Sequence, residues 1–187
     1  MKSILILGAG RSSSSLIDYL LKTASLHAWQ IVVGDVSEQA AKQRVGSLPN
    51  GTALRFDIHE ASSRDVIVKA DVVISLLPAT LHPLVAKECI ALKKHFLNAS
   101  YLSDEISSLD KPAKQNGLLF LSECGLDPGM GHTTAMQVID KIKNAGGNLT
   151  SFESFTGGLI APETDPANPW RYKFTWNPRN VVMAGQG

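Results

Sequence analysis

The chain opens, after Met1 and Lys2, with the run Ser3-Ile4-Leu5-Ile6-Leu7-Gly8-Ala9-Gly10-Arg11-Ser12-Ser13. Its apolar part does not alternate with polar residues, which is typical of a strand buried on both faces of a sheet. Apolar side chains then recur at helical spacing up to Thr23. A strand, a glycine turn and a helix in this order predict the first βα unit of a parallel sheet.

The same alternation of strand and helix continues along the chain. It predicts strands over residues 31–33, 53–56, 72–76, 95–97 and 118–121, and helices over residues 38–45, 62–69, 83–93 and 104–115. Six short strands separated by helices are typical of a parallel sheet with helices on both faces. The sequence therefore predicts an α/β fold with a Rossmann-type, doubly wound parallel sheet.

The pattern changes beyond residue 126. A helix is predicted over residues 129–144 and a strand-like segment over 149–156, followed by a loop rich in glycine and proline. We therefore predict a dinucleotide-binding domain over residues 1–128 and the start of a second, α+β substrate domain over residues 129–187. Because the sequence stops at Gly187 without a closing element, we expect this second domain to be truncated and these residues alone to be inactive. The full-length protein is expected to be a homodimer.

Composition argues against several classes of function. The 187 residues are 44% hydrophobic and 19% charged with a net charge of +1, a globular profile with no general attraction to nucleic acid or anionic lipid. No apolar run approaches the roughly 20 residues of a bilayer span. Cys89 and Cys124 lack Cys-x-x-Cys spacing, and no signal peptide is seen, so we expect a reduced, cytoplasmic protein.

The glycine turn has the chemistry of a dinucleotide site. In Gly-x-Gly-x-x-Gly turns the first glycine permits the tight turn, the second lets the backbone approach a pyrophosphate, and the third position needs a small residue. Gly8 and Gly10 fill the first two positions and Ser13 the third. Arg11 and Ser12 lie at the helix start, where N–H groups bind anions, although Arg11 can equally point to water. A purely structural turn is the alternative.

Asp35 ends the second predicted strand. A carboxylate there accepts hydrogen bonds from the adenosine ribose and repels a 2′-phosphate, so it predicts NAD as the cofactor, with NADP as the second possibility. The alternative for Asp35 is a turn or helix-capping residue ahead of Ser37. Asp57 follows the third strand and lies either near the adenine or in a solvated loop.

Polar residues also follow the fifth and sixth predicted strands. Ser100 and Tyr101 bring a hydroxyl and a phenol to the carboxyl edge of the sheet, where ligands bind in open α/β folds. Asp127 precedes a proline at a predicted helix start, so it caps that helix, holds a substrate amine, or does both. His132 is the candidate general base. With only Cys124 beside it, no metal site is predicted.

The fourth predicted strand ends in Ser75-Leu76-Leu77-Pro78-Ala79-Thr80. Pro78 forces the backbone to turn at the edge where ligands bind. His82 follows just before Pro83. A lone histidine there is more typical of a surface or capping position than of an acid or base, so no role is assigned to it.

Several motifs together resemble one known family. They are the turn at residues 4–10, Val73-Ile74-Ser75-Leu76-Leu77-Pro78-Ala79-Thr80-Leu81-His82, Lys93-Lys94-His95, Ala99-Ser100-Tyr101, Gly125-Leu126-Asp127-Pro128-Gly129 with His132, Gly157-Gly158-Leu159 and Tyr172-Lys173-Phe174-Thr175-Trp176. In this order they are similar to the motifs of saccharopine dehydrogenases, also called saccharopine reductases. The resemblance implies an oxidoreductase of lysine metabolism that interconverts saccharopine with glutamate and 2-aminoadipate 6-semialdehyde by hydride transfer to a nicotinamide cofactor.

The resemblance also implies site residues. It places cofactor contacts at Gly8, Gly10, Arg11, Ser12, Asp57, Ile58, Leu77 and Thr175. Ala99 and Ser100, which follow the fifth predicted strand, are predicted to contact the cofactor as well. The resemblance places substrate contacts at Ser100, Tyr101 and Asp127, and His132 completes the predicted catalytic set with Asp127 and Tyr101. NADP-using relatives carry a basic residue just after the second strand, where this chain has Asp35, so we follow the local chemistry and predict NAD.

Two other functions remain open on the sequence. One is an amine dehydrogenase of the carboxynorspermidine or polyamine type, which keeps the chemistry and changes the substrate. The other is a dinucleotide-binding regulatory module without turnover. Amine-dependent reduction of the cofactor by the full-length protein separates the two enzymes from the module.

Overall fold

The computed structural model describes residues 1–155, 160–161, 163–173 and 182. The chain divides into two compact units, Met1–Met136 and Gln137–Gly187. The domain boundary predicted after residue 128 stays a prediction. None of the helices in the described part of the chain has both the length and the apolar character that crossing a bilayer requires.

The first unit is built on a parallel sheet of six strands. These are β1 Lys2–Leu7, β2 Trp29–Asp35, β3 Gly51–Arg55, β4 Val72–Ser75, β5 His95–Asn98 and β6 Phe120–Leu121. The strands lie side by side in the order β3-β2-β1-β4-β5-β6, and each neighbouring pair is parallel. This order confirms the doubly wound, Rossmann-type sheet. The chain adds β2 and β3 on one side of β1 and then adds β4, β5 and β6 on the other side. The switch point between β1 and β4 is where such sheets bind ligands.

Helices follow the strands along the chain. They are α1 Ser14–His27, α2 Glu38–Val45, α3 Ser63–Ile67, α4 His82–Ala91, α5 Asp104–Ser107, α6 Asp110–Gln115 and α7 Met130–Asn144. A short 3₁₀ turn over Arg11–Ser13 leads into α1. The α2 helix has the predicted bounds, and its Ser37 cap accepts a hydrogen bond from the Ala40 N–H.

Alternate residues of β1 belong to two separate cores. Ile4 and Ile6 lie in a cluster with apolar residues of α1 and α2, whereas Leu5 and Leu7 lie in a second cluster with residues of α3, α4 and α5. Because successive strand residues point to opposite faces, a strand covered on both faces must be apolar throughout. This explains why the opening run does not alternate.

Two predicted elements differ from the structure. The helix predicted over residues 104–115 is divided into α5 and α6, because Pro112 lacks an N–H and its ring clashes with the carbonyl four residues earlier, at Ser108. Proline is tolerated in the first turn of α6, where its N–H would have no helical partner. The strand predicted over residues 149–156 is wrong for residues 149–155, which form no strand and find no neighbouring strand among the described residues of the second unit.

Candidate active site

The carboxyl ends of the strands gather the predicted site residues along one edge of the sheet. In spatial order this edge carries Asp57 and Ile58 after β3, Asp35 at the end of β2, Gly8, Gly10, Arg11 and Ser12 after β1, Leu77 after β4, Ala99, Ser100 and Tyr101 after β5, and Asp127 and His132 beyond β6. Thr175 lies outside the described residues. The roles of these residues stay predictions, whereas their common edge is a property of the fold.

The two glycines of the turn meet different surroundings. Gly8 has φ of +104°, and a Cβ added there would lie 2.9 Å from the Leu76 carbonyl oxygen, so the turn packs tightly against the end of β4. A Cβ added to Gly10 would meet no protein atom within 4 Å. The turn is therefore closed on the side of Gly8 and open to a ligand at Gly10, which fits a dinucleotide whose pyrophosphate crosses the second glycine.

Ser13 occupies the third position of the turn as a small, buried residue. Its side chain is fully buried, and its hydroxyl donates a hydrogen bond to the Gly10 carbonyl oxygen at 2.9 Å. The small residue that the motif requires is thus packed between turn and helix. Arg11 and Ser12, in contrast, are exposed at the start of the 3₁₀ turn.

Asp35 and Arg44 bind the two backbone polar groups of Ala9, the middle residue of the glycine turn. The Ala9 N–H donates to Asp35 Oδ2 at 2.7 Å, and Arg44 Nε donates to the Ala9 carbonyl oxygen at 3.2 Å. Arg44 also donates to the Gly10 carbonyl oxygen, and the Ser37 N–H donates to Asp35 Oδ1. Asp35 therefore has the turn role that the sequence left open. Arg44, in the last turn of α2, is a functional candidate that the sequence analysis missed.

The residues predicted near the adenine and the nicotinamide have local partners as well. Asp57 Oδ1 accepts a hydrogen bond from the His59 N–H at 3.0 Å, which closes a turn after β3. Ile58 and Leu77 are half-buried against the second core. Ala99 is half-buried, and its carbonyl lies close to Gly125.

A buried histidine joins the ends of β4 and β5. His82 Nδ1 lies 2.9 Å from Ser75 Oγ, and His82 Nε2 lies 2.9 Å from Ser100 Oγ. The side chain is 2% exposed, and burial lowers its pKa to about 4. His82 is therefore neutral at pH 7. The surface position expected for this histidine is therefore wrong, and its partners could not be predicted because neither serine is its neighbour in the chain.

Asn98, opposite Ser75 in the β4–β5 register, fixes the backbone beside this histidine. Its Oδ1 accepts a hydrogen bond from the Ser100 N–H at 2.9 Å, and its Nδ2 donates to Ser122 Oγ at 3.0 Å. Asn98 is buried, so both ends of its amide are held by protein. Ser100 is thus oriented through its N–H as well as through its hydroxyl.

Tyr101, Asp127 and His132 form one cluster beyond β5 and β6. The Tyr101 hydroxyl donates to Asp127 Oδ1 at 3.3 Å, and the nearby carboxylate raises the pKa of Tyr101. His132 Nδ1 lies 3.9 Å from the same oxygen and accepts a hydrogen bond from the Gly129 N–H at 3.3 Å. Because Nδ1 accepts the Gly129 N–H, it carries no proton in this arrangement and forms no ion pair with Asp127. All three predicted catalytic side chains are exposed.

The loop before α7 positions Asp127. The Gly125 N–H donates to the Pro128 carbonyl, and the Met130 N–H donates to the Gly125 carbonyl, so the loop closes on itself around a cis Asp127–Pro128 bond. Gly129 has φ of +140°, and a Cβ there would collide with the Gly125 carbonyl oxygen. Only glycine fits this position. Asp127 is presented from a tightly folded loop.

Glu123 links this loop to the Ser100 segment and was also missed by the sequence analysis. It adopts φ of +63°, which is uncommon for a residue other than glycine. Its N–H donates to the Ser100 carbonyl at 3.0 Å, and its carboxylate accepts from the Leu102 N–H at 3.1 Å. Residues 100–102 are therefore held from β6 as well as from β5.

The two cysteines differ in exposure, and this difference predicts their reactivity. Cys89 is fully buried, which raises the pKa of its thiol to about 12, whereas Cys124 is exposed. Because the thiolate is the reactive form, we expect iodoacetamide to modify the native protein once, at Cys124, and twice in denaturant. Intact-mass measurement checks this, with Cys124→Ala expected to stay unmodified. Two additions to the native wild type would contradict the buried position of Cys89.

Family models match almost the whole chain. One described as the saccharopine dehydrogenase NADP binding domain matches residues 4–121, and one described as the saccharopine dehydrogenase C-terminal domain matches residues 125–187. The alpha-aminoadipic semialdehyde synthase of Bos taurus is 40% identical over 183 residues, covering 97% of this chain and 19% of that protein. The NADP(+), L-glutamate-forming saccharopine dehydrogenase of Saccharomyces cerevisiae is 38% identical over 184 residues, covering 98% of this chain and 40% of that protein.

Solved structures agree with these relatives. Apo saccharopine dehydrogenase (L-Glu forming) from Saccharomyces cerevisiae matches with a TM-score of 0.86 and 36% identity, over 98% of this chain and 40% of that one. An NAD binding oxidoreductase from Klebsiella pneumoniae matches at 16% identity with a TM-score of 0.55, over 75% of this chain and 39% of that one, and it shares the fold alone. The chain spans less than half the length of each of these proteins. The family models and the identity to the yeast enzyme show that the chain belongs to the saccharopine dehydrogenase family.

Proposed function

We propose that the chain is the dinucleotide-binding part of an oxidoreductase that acts on the CH–NH group of saccharopine. In this reaction saccharopine, water and the oxidised cofactor give glutamate, 2-aminoadipate 6-semialdehyde, the reduced cofactor and a proton. The observation that carries the proposal is the shared sheet edge, where the open turn at Gly10 and the cluster of Ser100, Tyr101 and Asp127 follow strands on either side of the switch point. The relatives named for this reaction support it.

The chain's own residues have defined tasks in this proposal. The turn from Gly8 to Ser12 would hold the pyrophosphate, and Leu77 and Ala99 would lie on the nicotinamide side. When bound, the nicotinamide supplies the hydride acceptor. Because the Asp127 carboxylate raises the pKa of Tyr101, the phenol stays protonated and serves as a hydrogen-bond donor. Asp127, which is exposed and negative, attracts the substrate's positively charged amine.

The neutral His132 ring accepts a proton at Nδ1, the nitrogen that lies 3.9 Å from Asp127 Oδ1. In the neutral ring Nδ1 accepts from the Gly129 N–H, so Nε2 carries the ring proton. When Nδ1 takes a proton it can no longer accept that bond, and the Asp127 carboxylate 3.9 Å away becomes its partner. In our proposal His132 therefore takes up a proton at Nδ1 and exchanges its hydrogen bond from the Gly129 N–H for one to Asp127.

Removing the charge of Asp127 tests the proposed function. We expect the full-length native protein to reduce its cofactor when saccharopine is added, and Asp127→Asn to lower kcat/KM about 10- to 100-fold, because a hydrogen bond to a charged group contributes about 1.5–3 kcal/mol. The assay follows the absorbance of the reduced nicotinamide. Asp104→Asn, an exposed residue at the start of α5, is the matched control.

Either of two results would contradict the proposed function. Reduction with carboxynorspermidine and none with saccharopine would assign the substrate to the polyamine class. Cofactor binding without reduction by any amine would leave a regulatory module.

We propose NADP as the cofactor in place of the NAD that Asp35 predicts. The description of the matching family model and the names of the fungal relatives favour NADP. The Asp35 carboxylate is used within the turn, because each of its oxygens accepts a backbone N–H, at Ala9 and at Ser37. Arg44 brings a guanidinium to the same turn, and its charge suits the 2′-phosphate.

The substitution Arg44→Met tests whether the cofactor is NADP or NAD, since methionine keeps an unbranched side chain and removes the charge. We expect about tenfold weaker binding of NADPH and little change for NADH, because one charge-assisted hydrogen bond is lost. Calorimetry on the 187-residue chain measures both, with Arg64→Met, at an exposed ion pair with Glu88, as the control. Tighter wild-type binding of NADH would restore the prediction of NAD, and equal losses for both cofactors would mean that Arg44 acts by shaping the turn.

A further inference from the structure

The Ser75–His82–Ser100 chain has two possible directions of hydrogen bonding, and they differ in what Ser100 offers to a ligand. A neutral imidazole donates from one ring nitrogen and accepts at the other. If Nε2 carries the proton, Ser100 Oγ accepts from the ring, and the Ser100 hydroxyl hydrogen points elsewhere. If Nδ1 carries the proton, the Ser100 hydroxyl donates to Nε2, and Ser100 can only accept hydrogen bonds from a ligand.

Burial of Ser75 selects the first direction. Ser75 is fully buried, and across the described ranges its hydroxyl has a single hydrogen-bond partner, His82 Nδ1. If Nδ1 carried the proton, the Ser75 O–H would have no acceptor, which is costly for a buried donor. Ser75 therefore donates to Nδ1. The ring proton then lies on Nε2, which donates to Ser100 Oγ.

Ser100 is the end of this chain that a ligand can reach. It is half-buried, whereas Ser75 and His82 are buried. Its N–H is already used by Asn98 and its carbonyl by the Glu123 N–H. With its oxygen accepting from His82, the remaining polar group is the hydroxyl hydrogen, and it lies next to Tyr101 at the edge that carries the predicted site.

We propose that His82 is a positioning residue that, together with Ser75, fixes Ser100 as a hydrogen-bond donor to a carboxylate oxygen of an amino-acid substrate. The inference rests on the proposed function for the identity of that substrate, because ionised carboxylates only accept hydrogen bonds. It assigns His82 no proton transfer with substrate. The low pKa of the ring agrees with this assignment, since a ring that is neutral at pH 7 keeps one direction of hydrogen bonding.

The tautomer is measured without any substrate. Histidine ¹⁵N spectra of the 187-residue chain at pH 7 are expected to show His82 with a protonated Nε2 and an unprotonated Nδ1, the resonances being assigned by their loss in His82→Gln. In Ser75→Ala, which removes the donor to Nδ1, we expect the Nδ1 resonance to shift and the two tautomers to mix. A protonated Nδ1 in the wild type would overturn the inference, whatever substrate the enzyme uses.

Two conservative variants test the consequence for substrate. The amide of Gln reaches about as far as Nε2 and can still donate to Ser100, whereas that of Asn reaches about as far as Nδ1 and can serve only Ser75. In the full-length native protein we expect His82→Asn to lower kcat/KM for saccharopine about tenfold, mainly through KM, and His82→Gln to recover most of it.

The outcomes separate this inference from the proposed function. Equal losses in His82→Asn and His82→Gln would overturn the positioning role while leaving saccharopine as the substrate. Absence of turnover by the wild type would refute the proposed function, and with it the carboxylate partner of Ser100. The spectra would still report on the direction of the Ser75–His82–Ser100 chain in that case.

Discussion

Gly10→Val is expected to weaken dinucleotide binding about 100-fold and to leave the fold intact. A Cβ added at this position meets no protein atom within 4 Å, so we expect the folded chain to accommodate a side chain there. The space it fills is where a pyrophosphate would cross the turn. Forcing extra methyl groups into a packed contact costs about 1–3 kcal/mol, and each 1.4 kcal/mol is about tenfold in Kd. Titration of NADPH fluorescence measures the loss, with Gly10→Ala expected to lie between Val and wild type.

Gly8→Ala is the matched control on the closed side of the turn, and its defect should be in stability. Its φ of +104° is strained for any residue with a Cβ, and the new methyl would lie 2.9 Å from the Leu76 carbonyl oxygen. We expect the free energy of unfolding to fall by about 3 kcal/mol, measured by urea denaturation. If Gly10→Val binds NADPH like the wild type, the cofactor does not cross the turn at Gly10.

Stability is expected to fall by about 3 kcal/mol between pH 6.5 and pH 4 because of His82. Burial lowers its pKa from 6.5 in the unfolded chain to about 4 in the folded one. In this range the unfolded state binds the extra proton, so stability is fully present above pH 6.5 and is lost as pH falls. Below pH 4 both states are protonated at this residue and its contribution stays constant. The magnitude follows from about 1.36 kcal/mol for each unit of pKa.

Urea denaturation of the wild type and of His82→Gln at several pH values measures how much free energy of unfolding each protein loses on acidification. Glutamine keeps a polar partner for Ser100 and does not titrate, so its stability should depend less on pH in this range. His95→Gln is a useful control, because His95 Nδ1 accepts a hydrogen bond from the Leu119 N–H near the other end of the strands but is only half-buried. If His82→Gln and the wild type lose the same stability on acidification, His82 is not the group responsible.

The sheet could be predicted from the sequence because its strands are covered on both faces. Each strand needs a short apolar run for that burial, and each run is visible without knowledge of its neighbours. The bounds of a helix are harder to predict where a single residue interrupts a continuous apolar pattern. Pro112 divides one amphipathic segment into α5 and α6, although the apolar spacing continues through it. Residues 149–155 have strand-like composition, but a strand also needs a neighbour, which composition does not reveal.

Only those residues of the candidate site that follow the ends of strands could be predicted from the sequence. Tyr101 and Asp127 are 26 residues apart and meet because β5 and β6 are neighbours. His82 was missed because its partners come from two different strands, so nothing beside it in the chain marks it as more than a capping residue. The sequence leaves open whether Asp35 contacts the ribose or closes a turn, and the hydrogen bond with the Ala9 N–H depends on a turn geometry that the sequence does not show.

The order of the strands divides the chain into two parts that can evolve separately. Because β1 lies between β2 and β4, the residues proposed to recognise the adenosine half of the cofactor all come before residue 60. Those proposed to contact substrate all come after residue 98. Substitutions that exchange one cofactor for another therefore need not touch the groups that select the amine. A lineage of this family can therefore exchange NAD for NADP while the residues proposed to contact substrate stay unchanged.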